Sequence, residues 1–213
     1  LDKNTYIIFM SDNGGLSLTP QRGGPIHTQN LPLKQGKGSL YEGGIREPMI
    51  VAGPGIEKNA GSSQNVSIDD FFPTILELAG IKNYKTVQTI DGKSILPFLL
   101  DKNKRDANKI LLWHYPNNWT NKNYHGISWV SAIRQGAWKL IYFHKTGQLE
   151  LYNTDYDIGE NNDLSAKFPQ RTKEMAALLT KELKKRNAQM PSFKASGKQI
   201  PWPDEVKMPY KMN

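Results

Sequence analysis

Thr5-Tyr6-Ile7-Ile8-Phe9-Met10-Ser11-Asp12-Asn13-Gly14-Gly15 decides the fold class, because an apolar, β-rich run stops abruptly at a cluster of turn residues. Such a run reads as a strand buried on both faces of a parallel sheet. Asp12 and Asn13 then sit just past the strand's C-terminal end, the rim of an open α/β sheet where ligand-binding loops converge. Pro48-Met49-Ile50-Val51-Ala52, stopped by Gly53-Pro54-Gly55, reads as a second strand. Residues 69–80 follow with acidic residues and Pro73 in the first turn, apolar residues at 72, 75, 76 and 79, and Gly80 as the stop, which predicts a helix.

The composition changes after residue 100, where the polar stretch 101–108 reads as a linker. Short β-rich runs come next at 110–115, 129–134, 138–143 and 149–152, closely spaced and divided by turn residues, the pattern of antiparallel hairpins. Residues 170–187 carry Met175, Leu178, Leu179 and Leu183 on one stripe, predicting an amphipathic helix that covers this small sheet. Pro191, Pro201, Pro203 and Pro209 punctuate a last stretch without periodicity, expected to be an irregular surface tail. The expected organisation is therefore an α/β part over residues 1–105, a sheet-plus-helix subdomain over 106–190, and a tail over 191–213.

A length of 213 residues, with 38% hydrophobic and 23% charged, is enough for a sizeable core and far from a disordered composition. The apolar runs are too short to span a bilayer. A net charge of +8 favours acidic partners: nucleic acid, a membrane surface, or a sulfated or phosphorylated polymer. Much of the excess lies in 102–109 and 171–186, which read as solvated faces. The absence of cysteine removes disulfides and thiolate metal sites but leaves the compartment open.

Asp12 and Asn13 are adjacent oxygen donors suited to a hard divalent cation, although Asp-Asn-Gly-Gly is equally an ordinary turn. Calcium takes about six to eight oxygens, so two ligands need company. Lys37, between Gly36 and Gly38, can approach a bound anion closely. Arg46, after a second glycine pair, is either an anion contact or an ion pair with Glu42 or Glu47. His27, on a loop near both motifs, could protonate a leaving oxygen. His114, beside Trp113, Tyr115 and Trp119, could contact a sugar, or these aromatics could be core. His125 and His144 have no context that raises them above surface residues.

Four stretches taken in order resemble the C-terminal half of the sulfatase family, within the alkaline-phosphatase-like superfamily. They are residues 7–15; the run 31–48 with Gly36-Lys37-Gly38-Ser39-Leu40-Tyr41-Glu42-Gly43-Gly44-Ile45-Arg46; Asp69-Asp70-Phe71-Phe72-Pro73-Thr74 followed by Asp91-Gly92-Lys93-Ser94; and Ala132-Ile133-Arg134 with Trp138-Lys139-Leu140 and Leu151-Tyr152-Asn153. The resemblance covers residues 4 to about 169. It implies an alkaline-phosphatase-like α/β domain followed by a small antiparallel sheet under a helix. Asp12 and Asn13 are then calcium ligands and Lys37 a catalytic contact to sulfate. Histidine and lysine assist the leaving oxygen, which gives His27 its role; His114 and Arg46 are expected at the substrate. Sulfated carbohydrate is the implied partner, with neither nucleic acid nor membrane, in a periplasmic, extracellular or lysosome-like location.

Formylglycine, the family's nucleophile, is made from cysteine or serine in Cys/Ser-x-Pro-x-x-Arg, and this sequence contains no such motif. Ser17-Leu18-Thr19-Pro20-Gln21-Arg22 comes nearest, with its proline one place late. The expectation is a C-terminal fragment, inactive alone, whose formylglycine belongs to an N-terminal half outside it. Two other readings remain open at this point: a non-catalytic polyanion-binding module, and a phosphate-ester hydrolase of the same superfamily. The Gly-Lys-Gly context speaks against the second.

Overall fold

Strand β1, Ile7–Met10, pairs antiparallel with β2, Met49–Ala52, setting Ile7 opposite Ala52 and Met10 opposite Met49. This corrects the expectation of a strand inside a parallel sheet. A continuous apolar run reports burial, while strand direction is set by the partner. Alternation places Ile7 and Phe9 on one face, and they stay 65% and 63% exposed in a computed structural model that describes residues 3–17, 29–119, 124–207 and 210–211. The chain forms two compact units, residues 1–10 with 48–111, and residues 11–47 with 112–213. The sequence boundary at 105 instead assigned loop 11–47 to the first part.

In the first unit, a 3-10 turn over Ile68–Asp70 leads into helix α2, Phe71–Leu78. Asp70 is buried and fixes this entry: its carboxylate accepts the Ser67 N–H at 2.8 Å and the Lys93 N–H at 3.0 Å, and pairs with the Lys109 ammonium. The Thr74 hydroxyl oxygen accepts the Ile95 N–H at 2.9 Å. Asp70 and Thr74 thus tie the Asp-Asp-Phe-Phe-Pro-Thr segment to the Asp-Gly-Lys-Ser segment, a physical reason for the two to occur together. The short α3, Leu96–Leu100, ends there. Phe72 and Ile75 on the expected apolar stripe remain exposed.

Four strands, β3 (Ile110–Tyr115), β4 (Val130–Gln135), β5 (Trp138–Phe143) and β6 (Leu149–Asn153), lie in the order β3-β4-β5-β6. Both β4–β5 and β5–β6 are antiparallel, with Ala132 opposite Ile141 and Leu140 opposite Leu151. Period-two alternation divides the sheet into two working faces. Val130, Ala132, Ile141, Phe143 and Tyr152 form one buried cluster with Leu40 and Tyr41 of the preceding loop, and Trp113 packs on its margin. Ile133, Leu140 and Leu151 are left for the opposite face, where α4, Pro169–Lys185, packs across β4, β5 and β6 with Met175, Leu179 and Leu183 buried. Residues 191–207 are irregular and not merely superficial, since Ile200 is buried and Pro201 C=O accepts the Tyr142 hydroxyl at 2.8 Å.

Candidate functional site

Two glycine-rich segments meet in the second unit. The Gly14 N–H donates to Gly44 C=O at 3.1 Å, and the Lys37 N–H donates to Gly15 C=O, also at 3.1 Å. The approach is so close that a Cβ at Gly14 would lie 1.8 Å from the Gly43 carbonyl oxygen, which excludes any side chain there. Asn30 reinforces the junction, its amide donating to Gly15 C=O and Gln35 C=O at 2.9 Å each. The backbone carrying Asp12 and Asn13 is thereby fastened to the loop carrying Lys37. Gly38 adopts φ +86°, and a Cβ on it would stand 2.1 Å from Cζ3 of Trp119, so the Trp119 ring lies directly over the residue after Lys37.

Asp12 and Lys37 are exposed and Asn13 half-buried. The Asn13 amide nitrogen donates to Gly14 C=O at 3.1 Å, which leaves the side-chain oxygen as its outward acceptor. Among the described residues, the buried Oε1 of Glu47 has no hydrogen-bond partner. Burial, and secondarily the nearby Asp12 charge, pushes the Glu47 carboxyl above the usual carboxylate range. Uncompensated oxygens beside an aspartate fit a hard cation. No group of three or more His, Cys, Asp or Glu suited to a metal occurs among the described residues, so Asp12 and Asn13 would be part of a ligand set.

The loop is held from below by a buried ion cluster. Glu42, the first residue of α1 (Glu42–Ile45), is 1% exposed. Its carboxylate lies 2.9 Å from Lys139 Nζ, 3.2 Å from Arg134 and 3.2 Å from Arg46. Lys139 is 0% exposed and also lies 2.8 Å from Glu160, whose other oxygen accepts the Glu42 N–H at 2.6 Å. Burial alone would raise the Glu42 carboxyl, but Lys139 and Arg134 outweigh it and hold it below the usual range. Glu160 goes the other way, because burial outweighs Lys139. Arg46 thus forms the ion pair with Glu42 while its side chain stays 44% exposed. Tyr41, between Lys37 and Glu42 in the loop, donates its hydroxyl to Glu150 at 2.6 Å and lies under Lys34 Nζ at 4.0 Å from the ring centroid.

His114 is held by neighbours on its own face of the sheet. Trp113 and Tyr115 pack on the loop side of the sheet, so alternation turns His114 to the opposite face, away from Lys37. There its Nε2 donates to Gln189 C=O at 3.0 Å and its Nδ1 meets the Ser131 hydroxyl at 2.8 Å, leaving neither nitrogen for a substrate. His144 continues the chain through Nε2 to Ser131 at 2.8 Å and is 0% exposed, not a surface residue; burial, with His114 second, lowers it to about 3. His27 lies outside the described residues. Sequence reasoning offered the Arg46–Glu42 pair but missed the rest of the ion cluster. Lys139 inside Trp138-Lys139-Leu140-Ile141-Tyr142-Phe143 was a further signal, a lysine at a core-facing strand position, whereas nothing marked Glu160.

A family model described as "N-sulphoglucosamine sulphohydrolase, C-terminal" matches residues 35–189. A sulfatase of Formosa agariphila is 35% identical over 217 residues, covering 96% of this chain and 38% of that protein. The solved structure of Ps i-CgsB with k-i-k-neocarrahexaose shares 32% identity at a TM-score of 0.66, covering 90% of this chain and 38% of that one. That of BT4656 with D-glucosamine-2-N,6-O-disulfate shares 26% identity at a TM-score of 0.66, covering 89% and 36%. The chain thus spans under two-fifths of the length of these relatives.

Proposed function

We propose, from the premise that this chain belongs to the sulfatase family and matches its C-terminal part, that the protein carrying it hydrolyses sulfate esters of carbohydrates. The observation that supports this most is the fastening of the Asp12-Asn13 segment to the Lys37 loop through Gly14–Gly44 and Lys37–Gly15 hydrogen bonds. Two of the relatives with solved structures are complexes with a neocarrahexaose and a glucosamine disulfate, and sulfated sugar is the substrate class we assign here.

Asp12 and Asn13 would supply two oxygens to a calcium ion, with further oxygens from parts of the protein outside this chain. When bound, the calcium supplies positive charge against the sulfate oxygens. The formylglycine nucleophile is assigned to the N-terminal half of the protein. Lys37 extends an ammonium from a loop that cannot shift without breaking the Gly15 contact, and it binds the sulfate oxygens as charge moves onto the departing group. His27 is assigned the proton delivered to the sugar oxygen that leaves. A periplasmic, extracellular or lysosome-like location suits such a substrate; no described helix is long and apolar enough to cross a membrane.

The test is turnover by the whole protein. Sulfate release from 4-nitrophenyl sulfate and from sulfated sugars should require calcium and exceed phosphate release from 4-nitrophenyl phosphate. Lys37→Ala should lower kcat by about a hundredfold or more, as expected for a charge contact that strengthens in the transition state. Preference for the phosphate ester, or a Lys37→Ala effect confined to KM, would refute the assignment.

A further inference from the structure

A cavity of about 190 Å³ opens in the second unit beside the Lys37 loop, lined by Tyr124, His125, Trp129, Phe143, Lys145 and Gln148 among others. Its wall is continuous with that loop. Ser39 bridges to Ile127, the Leu40 N–H donates to Gly126 C=O at 3.1 Å, and the Gln35 amide donates to His125 C=O at 2.7 Å. Whatever fixes Lys37 also fixes the cavity's rim.

The rim is shaped at a cost. Ser128 and Trp129 both adopt left-handed backbone, φ 63° and 56°, although neither is glycine. Left-handed backbone is unfavourable for residues with a side chain, and consecutive ones persist only where the surroundings impose them. Here the Trp119 N–H donates to the Ser128 hydroxyl at 2.8 Å, and the His144 N–H donates to Trp129 C=O at 2.8 Å. The indole of Trp129 is thereby set into the cavity lining and left half-buried. Opposite, His125 stacks on Phe143 with centroids 4.2 Å apart, and Glu150 accepts from both His125, at 2.7 Å, and the Gln148 amide, at 3.2 Å. Lys145 Nζ stands 5.9 Å from the Trp129 ring centroid, is exposed, and has no carboxylate partner among the described residues.

An aromatic face, a ring of fixed polar groups and one unpaired ammonium describe a receptor for a sugar that carries its own negative charge. The C–H face of a pyranose is electropositive and complements the negative face of an indole. A carboxylate or sulfate on the same ring would meet Lys145, and pockets of this type orient a ligand with few polar contacts. We infer that the cavity formed by Trp129, His125, Gln148 and Lys145 is a subsite for an anionic sugar adjoining the sugar whose sulfate ester reaches Lys37. The identification of that second sugar rests on the sulfatase reading above. The recognition of an anionic pyranose by the cavity does not.

Binding to the whole protein, with calcium removed so that no ester turns over, separates the two. Tryptophan fluorescence is titrated with k-i-k-neocarrahexaose, a chondroitin sulfate hexasaccharide, a heparin hexasaccharide and neutral maltohexaose. At least one anionic oligosaccharide should give a saturable change that Lys145→Gln weakens at least tenfold, with maltohexaose inert. Lys145 is exposed, so its replacement leaves the fold intact, as circular dichroism will register. Trp129→Leu should abolish the fluorescence change and weaken binding measured by calorimetry. No binding by the folded whole protein, equal binding of maltohexaose, or Lys145→Gln affinity within twofold of wild type would overturn the subsite. Binding that depends on Lys145, together with a whole protein that releases no sulfate, would uphold the subsite and refute the sulfatase reading.

Discussion

Replacing Lys139 by Met removes the one cation that both Glu42 and Glu160 touch. The three groups are 0%, 1% and 0% exposed, and the ammonium lies 2.9 and 2.8 Å from the two carboxylates. Methionine matches the length of the stem, so packing is largely kept and the loss is electrostatic. Breaking a buried pair by deleting one partner costs about 3–5 kcal/mol, because a charge is left uncompensated in low dielectric. Arg134 at 3.2 Å still serves Glu42, which holds the expected loss within that range. The pH dependence is the sharper signature. In the wild type Glu42 is depressed by Lys139 and Arg134 against the effect of burial, so its contribution is full above the unfolded value and is lost as pH falls through the folded one. Glu160 is raised by burial despite Lys139, and runs the opposite way. Deleting Lys139 moves both carboxyls upward in the folded state, so the stability gap between wild type and Lys139→Met must widen as pH rises from 4 to 7. Urea unfolding followed by tryptophan fluorescence at several pH values measures it. A loss below about 1 kcal/mol at pH 7, the range of an exposed pair, or a gap that stays constant with pH, would refute the reasoning.

His144 provides a second titration with the opposite origin. Burial, then the His114 ring, lowers it to about 3, whereas the unfolded chain titrates near pH 6.5. The unfolded state therefore binds more protons below that pH, and stability should fall by about 2 kcal/mol between pH 8 and 5 on this account; a His144→Gln variant with an unchanged slope would show that the ring titrates normally. Gly38→Ala forces a side chain into left-handed backbone, at roughly 1–2 kcal/mol, and drives its Cβ to 2.1 Å from the present Trp119 ring position. The Trp119 indole N–H resonance should move and unfolding should shift to lower urea; an unmoved resonance would mean that the ring does not rest on Gly38.

Much of the second unit was legible because its signals are local. Short β-rich runs at 129–134, 138–143 and 149–152, divided by turn residues, marked strands observed at 130–135, 138–143 and 149–153, and the stripe Met175, Leu178, Leu179, Leu183 marked the covering helix. The glycines at 14, 36, 43 and 44 read as turns and as room for Lys37, and nothing local said that the two segments would cross. Strand direction in β1 and β2 was not legible, since Ile7-Ile8-Phe9-Met10 suits either arrangement. The surroundings of His114 were illegible for a different reason. Its aromatic neighbours suggested a sugar platform, but residues adjacent in a strand point to opposite faces, and Trp113 and Tyr115 took the loop side. His125 and Glu160 gained their roles from partners 25 and 21 positions away, Glu150 and Lys139, a distance over which sequence pattern carries no signal.

The most direct measurement is a crystal structure of the whole protein with calcium and a sulfated sugar whose ester turns over slowly. Oxygens of Asp12 and Asn13 should lie about 2.3–2.6 Å from the ion, with Lys37 Nζ on the sulfate oxygens within hydrogen-bonding distance. A cation held elsewhere, or a sulfate group seated away from Lys37, would contradict the convergence of residues 12, 13 and 37 on one reacting centre.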